Sequence, residues 1–301
     1  MLGPTASGKS AVAEAIALRF GALILSVDSM QVYRGMDIGT AKPSLDTRRK
    51  ILHHMIDVAD ASDEFTVAEF QRQGRAVLDD AMSQGDRVVV AGGSGLHFRA
   101  LVDPMTFAPT DRDIRLELEA MALDELQHAL LEIDIEAPDV LDIRNPRRVI
   151  RAIEVWRITA RTPSERARSS ESEAVRSYES LVDHVSIGLD AVDRSADRVG
   201  VRFRAMLDAG FLDEVTTIGP SLGRTAAQAV GYKELLEVVA GDSNIEAASI
   251  EAIGATNALV KRQRTYFGRD PRIEWMPWQD DEDARIAVAV DHVGKVTGWT
   301  S

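Results

Sequence analysis

The sequence predicts an α/β fold, a parallel sheet wrapped by helices, and three observations carry that prediction. Residues 3–10 read "GPTASGKS", a glycine loop leading into a helix. Short apolar runs then alternate with amphipathic helical segments, the signature of βαβ units. From residue 109 to 183 the alternation stops, and long charge-rich helical segments take over. The loop matches G-x-x-x-x-G-K-[ST] at every fixed position, so the core is expected to be P-loop NTPase-like with an inserted all-helical subdomain. The expected division is residues 1–108 for the first part of the core, 109–183 for the insertion and 184–301 for the second part.

The elements follow in order. "KSAVAEAIALRF", from Lys9, is a helix, and "ALILSV" at residues 22–27 is a buried strand ending at Asp28. "TVAEFQRQGRAVLDDAMSQG" at 66–85 is a helix, and "RVVVAGG" at 87–93 is the next strand. Within the insertion, "TDRDIRLELEAMALDELQHALLEI" (110–133) and "NPRRVIRAIEVWRITA" (145–160) are helical, and "RSSESEAVRS" (168–177) is polar enough for a mobile connection. "HVSIGLD" (184–190) is a third strand, and "IEAIGATNALVKRQRTYFG" (250–268) a long helix. A loop of this kind should follow a strand, yet only Met1 and Leu2 precede Gly3, so the first strand is expected to be missing.

The 301 residues hold no cysteine, which excludes disulfides, thiolate metal sites and a cysteine nucleophile. No apolar run is long enough to span a bilayer, and the chain is read as cytoplasmic, without a membrane partner, and monomeric. The formal charge of −13 argues against polyanion binding only if charge is spread evenly. It is not: basic residues gather in "RNPRRVIRAIEVWR" (144–157) and "KRQRTYFGRDPR" (261–272).

The glycines of the loop let backbone N–H groups wrap a phosphate, Lys9 adds a point charge, and Ser10 offers a hydroxyl to Mg²⁺. Asp28, at the carboxyl end of its strand, should lie near the cradle. From the residues alone it is a Mg²⁺ holder, a general base or a turn-forming aspartate. The loop likewise fits a kinase that binds ATP. His53 and His54 are adjacent on an extended segment and point to opposite faces, so they are read as structural.

Seven stretches, in this order, resemble the motifs of the tRNA dimethylallyltransferases: "GPTASGKS", "DSMQVYRGMDIGTAKP" (28–43), "HHMIDV" (53–58), "GGSGLHF" (92–98), "RRVIRAIEV" (147–155), "QAVGYKE" (228–234) and "LVKRQRTYF" (259–267). The resemblance implies that the cradle, Gly3, Pro4, Thr5, Ala6, Ser7, Gly8, Lys9 and Ser10, holds the diphosphate of dimethylallyl diphosphate. That diphosphate is the leaving group, with Mg²⁺ as cofactor and no ATP consumed. The acceptor would be the exocyclic amine of the adenosine 3′ of the anticodon, in tRNAs reading codons that begin with U. Lys9, Asp28 and Ser94 are the implied catalytic residues, with Asp28 as base. Implied contacts with the tRNA anticodon stem-loop are Asp28, Ser29, Met30, Gln31, Ser94, Arg115, Arg147, Arg148, Arg151, Gln228, Gly231, Tyr232, Lys233, Lys261, Arg262 and Gln263. Ser94 stands where the family commonly carries Thr. His97 stands where it carries Tyr, and is expected only to pack.

Overall fold

The computed structural model describes residues 1–300 and divides the chain into two compact units, Met1–Leu101 with Asp183–Ser301, and Val102–Val182. In the first unit, β1 (Leu23–Ser26) pairs in parallel with β2 (His53–His54) on one side and β3 (Val88–Ala91) on the other. All four residues of β1 are buried, as a central parallel strand covered on both faces requires. A second parallel pair joins β4 (Ser186–Gly188) to β5 (Ile273–Trp275), the latter not foreseen from its three-residue sequence.

The expected missing strand has a partial answer. Leu2 bridges in parallel to both Gly92 and Gly188, its N–H donating to Ile187 O at 2.8 Å and its carbonyl accepting from Leu189 N at 2.9 Å. Met1 and Leu2 therefore occupy the position between β3 and β4 and link the two sheets immediately before the glycine loop. Leu2 is buried, so the loop starts from a fixed point.

The helix Lys9–Phe20 starts at Gly8 and stops at Gly21, both in the left-handed region that favours glycine. Val12, Ala13, Ile16, Ala17 and Phe20 bury against the sheet and against Ala289 and Val293 of the helix Glu282–Thr297. One apolar core thus holds the helix that follows the loop, the sheet and the last helix together.

The second unit has no strand among its described residues. Its core joins Leu118, Leu126, Leu130, Val149 and Ile153. The segment 110–133 forms two helices, Arg112–Glu119 and Leu123–Ile133, because Glu125 reaches back to the Ala122 N–H at 3.0 Å and starts a second helix there. Residues 168–177, expected to be a mobile connection, contain the helix Ser170–Arg176. Ser169 caps it by accepting from Ser172 N at 3.2 Å, so polar composition here supplied a cap rather than disorder.

Candidate active site

The loop is held from three sides by residues distant in sequence. The Thr5 N–H donates to Gln263 Oε1 at 2.8 Å, and Gln263 Nε2 donates to Gly93 O at 2.9 Å, so one amide side chain ties the loop to the end of β3. Arg198 Nε donates to Ala6 O at 2.7 Å. Behind Gly8 lies Arg285, only 2% exposed, and a Cβ built on Gly8 would stand 3.2 Å from Arg285 Nη2. The guanidinium groups of Arg285 and Arg198 lie 4.4 and 5.2 Å from the ring centre of Trp278. Lys9 Nζ folds back to donate to Pro4 O at 3.2 Å. Burial, and then Arg202, push the Lys9 ammonium down to about 8, against the pull of Asp28. A lysine so placed gains from an incoming anion.

A cavity of about 370 Å³ is lined by Ala6, Gly8, Lys9 and Ser10 on one side and by Asp197, Arg198, Val201 and Arg202 of the helix Ser195–Asp208 on the other. A second cavity, of about 420 Å³, is lined by Thr5, Asp28, Ser94, Arg202, Phe203 and Tyr266, among others. Arg202 lines both. Its guanidinium has no hydrogen bond or ion pair among the described residues, and burial lowers its pKa while Asp28 opposes the shift.

Asp28 takes the Met30 N–H at 2.8 Å and the Gln31 N–H at 3.3 Å, both on Oδ1. That Asx turn fixes the carboxylate at the end of β1 and leaves Oδ2 for a ligand. Ser94 Oγ lies 2.7 Å from His97 Nδ1. His97 was expected only to pack. It does pack, edge-on against Phe70 at 4.5 Å, but it also orients the Ser94 hydroxyl.

The match to a family model for IPP transferase spans residues 31–270. The chain belongs to the IPP transferase family. Relatives named tRNA dimethylallyltransferase include that of Bifidobacterium longum subsp. infantis, 39% identical over 286 residues covering 92% of this chain and 85% of the relative. That of Paenarthrobacter aurescens is 38% identical over 299 residues, covering 96% and 94%. The crystal structure of a tRNA isopentenylpyrophosphate transferase from Staphylococcus epidermidis matches with a TM-score of 0.70 at 29% identity, covering 99% of this chain and 97% of that one.

In this IPP transferase the second motif, residues 28–43, lines the larger cavity with Asp28, Ser29, Met30, Gly39 and Thr40, and a hydrogen-bond network holds it in shape. Gln31 accepts from Ser26 Oγ at 2.8 Å and donates to Thr40 O and Ala41 O at 3.2 and 3.3 Å. The buried Lys42 ammonium bonds Tyr33 O, Asp37 and Asp57 at 2.6, 2.8 and 2.5 Å. Glu214 collects the N–H groups of Asp37, Ile38 and Gly39 at 2.9, 2.7 and 3.1 Å and accepts the hydroxyl of the fully buried Tyr232. A Cβ on Gly39 would come within 2.2 Å of Phe211 and 2.4 Å of Tyr232, so only glycine fits there.

Of the expected site residues, Thr5, Asp28, Ser29, Met30, Ser94, Gln228, Tyr232, Arg262 and Gln263 share the larger cavity, and Ala6, Gly8, Lys9 and Ser10 the smaller one. Gly3, Pro4 and Ser7, all buried, and Gln31, Gly231, Lys233 and Lys261 line neither. Gly231 starts the helix Tyr232–Ala240 with φ at +92°, its N–H donating to Glu234 at 2.7 Å. Lys233 and Lys261 are exposed. In the helical unit Arg147 and Arg148 are exposed, whereas Arg115 and Arg151 pair at 2.8 and 2.7 Å with Glu154, a carboxylate with 0% exposure. Sequence reasoning missed Arg198, Arg202 and Glu214. The spacing of Arg198 and Arg202, i and i+4 in "RVGVRF", was the available signal.

His97 supplies a pH test. Burial pushes it from 6.5 down to about 4, so it stays neutral in the fold while the unfolded chain protonates near 6.5. Between those values the unfolded state binds more protons. Stability is therefore full above 6.5 and falls as pH drops toward 4, by up to about 3 kcal/mol. Thermal unfolding at pH 7 and pH 5 should show a larger drop in Tm for the native chain than for His97→Tyr. Equal drops would contradict the assignment.

Proposed function

We propose that the chain transfers a dimethylallyl group from dimethylallyl diphosphate to the exocyclic amine of the adenosine 3′ of the anticodon, in tRNAs that read codons beginning with U, and releases diphosphate. The observation that carries this reading is the juxtaposition of a phosphate-loop cavity with a second cavity, bridged by Arg202 and walled by Asp28. Family membership supplies the prenyl chemistry, and relatives named for tRNA supply the acceptor. The P-loop NTPase-like core is part of the same proposal.

An adenine amine is a weak nucleophile because its lone pair is delocalised into the ring. Asp28 Oδ2 accepts one N–H of that amine, orients it and takes the proton as the nitrogen bonds to the allylic carbon. The carbon–oxygen bond breaks, and its electron pair leaves on the diphosphate. The loop N–H groups, Lys9 and Arg202 stabilise the growing negative charge. Val199, Phe203, Phe211, Tyr266 and Leu259 give the larger cavity the apolar wall that a dimethylallyl chain and a base need. Ser94, with Ser29 and Met30 beside it, positions the base.

Mg²⁺ fits the donor set. Ser10 offers one hard oxygen at the exposed first turn of its helix, and no cluster of three or more His, Asp or Glu exists among the described residues, so most ligands would come from the diphosphate and water. When bound, the ion would neutralise charge on the leaving group. Arg147, Arg148, Gln228, Gly231, Tyr232, Lys233, Lys261 and Arg262 are proposed to hold the tRNA, with Arg115 and Arg151 bracing the same helices through Glu154.

Incubation with labelled dimethylallyl diphosphate and unmodified tRNA should place label in RNA without ATP, and mass mapping should locate it 3′ of the anticodon. Label that requires ATP would indicate a kinase. Label that enters AMP but not tRNA would indicate a free-adenylate prenyltransferase.

A further inference from the structure

The helical unit contains a cavity of about 480 Å³ with no role in the site described above. Its wall includes Pro104, Met105, Phe107, Arg161 and Arg166. Arg161, Arg166 and Arg176 face it, and the only acid in the lining is the exposed Glu171.

Arg166 is half-buried, and its guanidinium has neither a hydrogen bond nor a carboxylate partner among the described residues. The charges that act on it are those of Arg151 and Arg161, both repulsive. Arg161 also has no side-chain partner among the described residues. Arg115, Arg144, Arg151, Arg157, Arg168 and Arg176 each pair with a carboxylate, and the other arginines of the unit without such a pair, Arg112, Arg147, Arg148 and Arg161, are exposed, so Arg166 alone among the described residues of the unit is half-buried and unpaired. In a chain of net charge −13, acids are plentiful, so an unpaired, partly desolvated guanidinium beside two others is a specific arrangement.

The cation also stands on a fixed base. Thr162 and Glu165 close a capping box at the start of the helix Pro163–Ala167. Buried Ser164 donates to Asp134 through its N–H at 2.8 Å and its hydroxyl at 2.9 Å. Ser169 and Ser172 donate to Arg166 O at 2.9 and 2.6 Å. The backbone at Arg166 is pinned, while its charge lacks a counter-ion.

We propose that this cavity is a phosphate-binding site and that Arg161 and Arg166 take a phosphate of the sugar–phosphate backbone of the RNA substrate. This assignment rests on tRNA being the acceptor. The arginine fork matches the oxygens of a phosphate, and an arriving anion relieves the repulsion among Arg151, Arg161 and Arg166. Such a contact sets affinity and orientation without reading sequence.

The test compares the native chain with Arg161→Gln/Arg166→Gln and with Arg166→Lys. Affinity for unmodified tRNA is measured across a salt series, beside kcat and KM for the prenyl donor. For the double variant the slope of log affinity against log salt should flatten by about 1 to 2, and binding at low salt should weaken roughly tenfold. Donor KM and kcat at saturating tRNA should stay native, and Arg166→Lys should keep most of the slope. An unchanged slope and affinity in a double variant of native Tm would overturn the proposal. So would saturable, Arg166-dependent binding of inorganic phosphate or diphosphate by calorimetry with the RNA slope unchanged. A native chain that neither binds nor modifies tRNA would instead overturn the proposed function.

Discussion

Asp28→Asn should lower the single-turnover rate of prenyl transfer by about a thousandfold while leaving tRNA affinity within roughly tenfold. The substitution is close to isosteric, and Asn can still accept the Met30 and Gln31 N–H bonds through its side-chain oxygen, so the turn at the end of β1 survives. What is lost is the second carboxylate oxygen as a proton acceptor. The charge is lost as well. Asp28 raises the pKa of Lys9, so its removal should let the Lys9 ammonium drop further below about 8 and weaken donor binding at alkaline pH. Rapid-quench transfer rates and filter binding of tRNA separate the two effects. A rate within a few-fold of native would mean that another group takes the proton.

Arg202→Gln should cut kcat/KM for dimethylallyl diphosphate by about 10² to 10³, as expected for losing one charged contact to a leaving group. The same variant should make the ligand-free protein more stable, because a half-buried cation with no hydrogen bond or ion pair among the described residues is removed. Opposite signs in activity and stability mark a residue held for ligand rather than for the fold. The pH profile should shift too. In the native chain the donor site loses the Lys9 charge as pH rises through about 8. Without Arg202, which pushes that value down, the alkaline loss should move to higher pH. Steady-state kinetics between pH 6.5 and 9.5, with thermal unfolding of the same preparations, check all three outcomes. A variant less stable and only several-fold less active would assign Arg202 to packing.

The legible parts of the molecule were those encoded within a few residues. The glycine loop, the helix Lys9–Phe20 and the strands β1, β3 and β4 announce themselves through glycine spacing, helical periodicity and short apolar runs. Asp28 could be placed beside the loop because it ends the strand that follows the loop's own helix. By contrast, β5 is three residues long and gains strand character only by pairing with β4, so its sequence carried no signal. Residues 168–177 misled because serine and glutamate favour both disorder and helix N-termini, and only the neighbouring backbone decides which.

Gln263 shows the same limit within the site. It stands in a basic, aromatic stretch that resembles an RNA-contact motif, yet its amide bonds both Thr5 and Gly93. Arg202 reaches the loop from a helix nearly two hundred residues downstream, and Glu214 orders residues 37–39 from a similar distance.

By itself, then, the sequence determined the glycine loop, the family and the carboxylate at the end of β1, because each depends on residue types at short fixed spacing. Tertiary structure alone decided which side chains hold the loop, which arginine joins the two cavities and which arginines lack a carboxylate. Those outcomes depend on packing that brings together residues far apart along the chain, and neither periodicity nor local spacing encodes such distances.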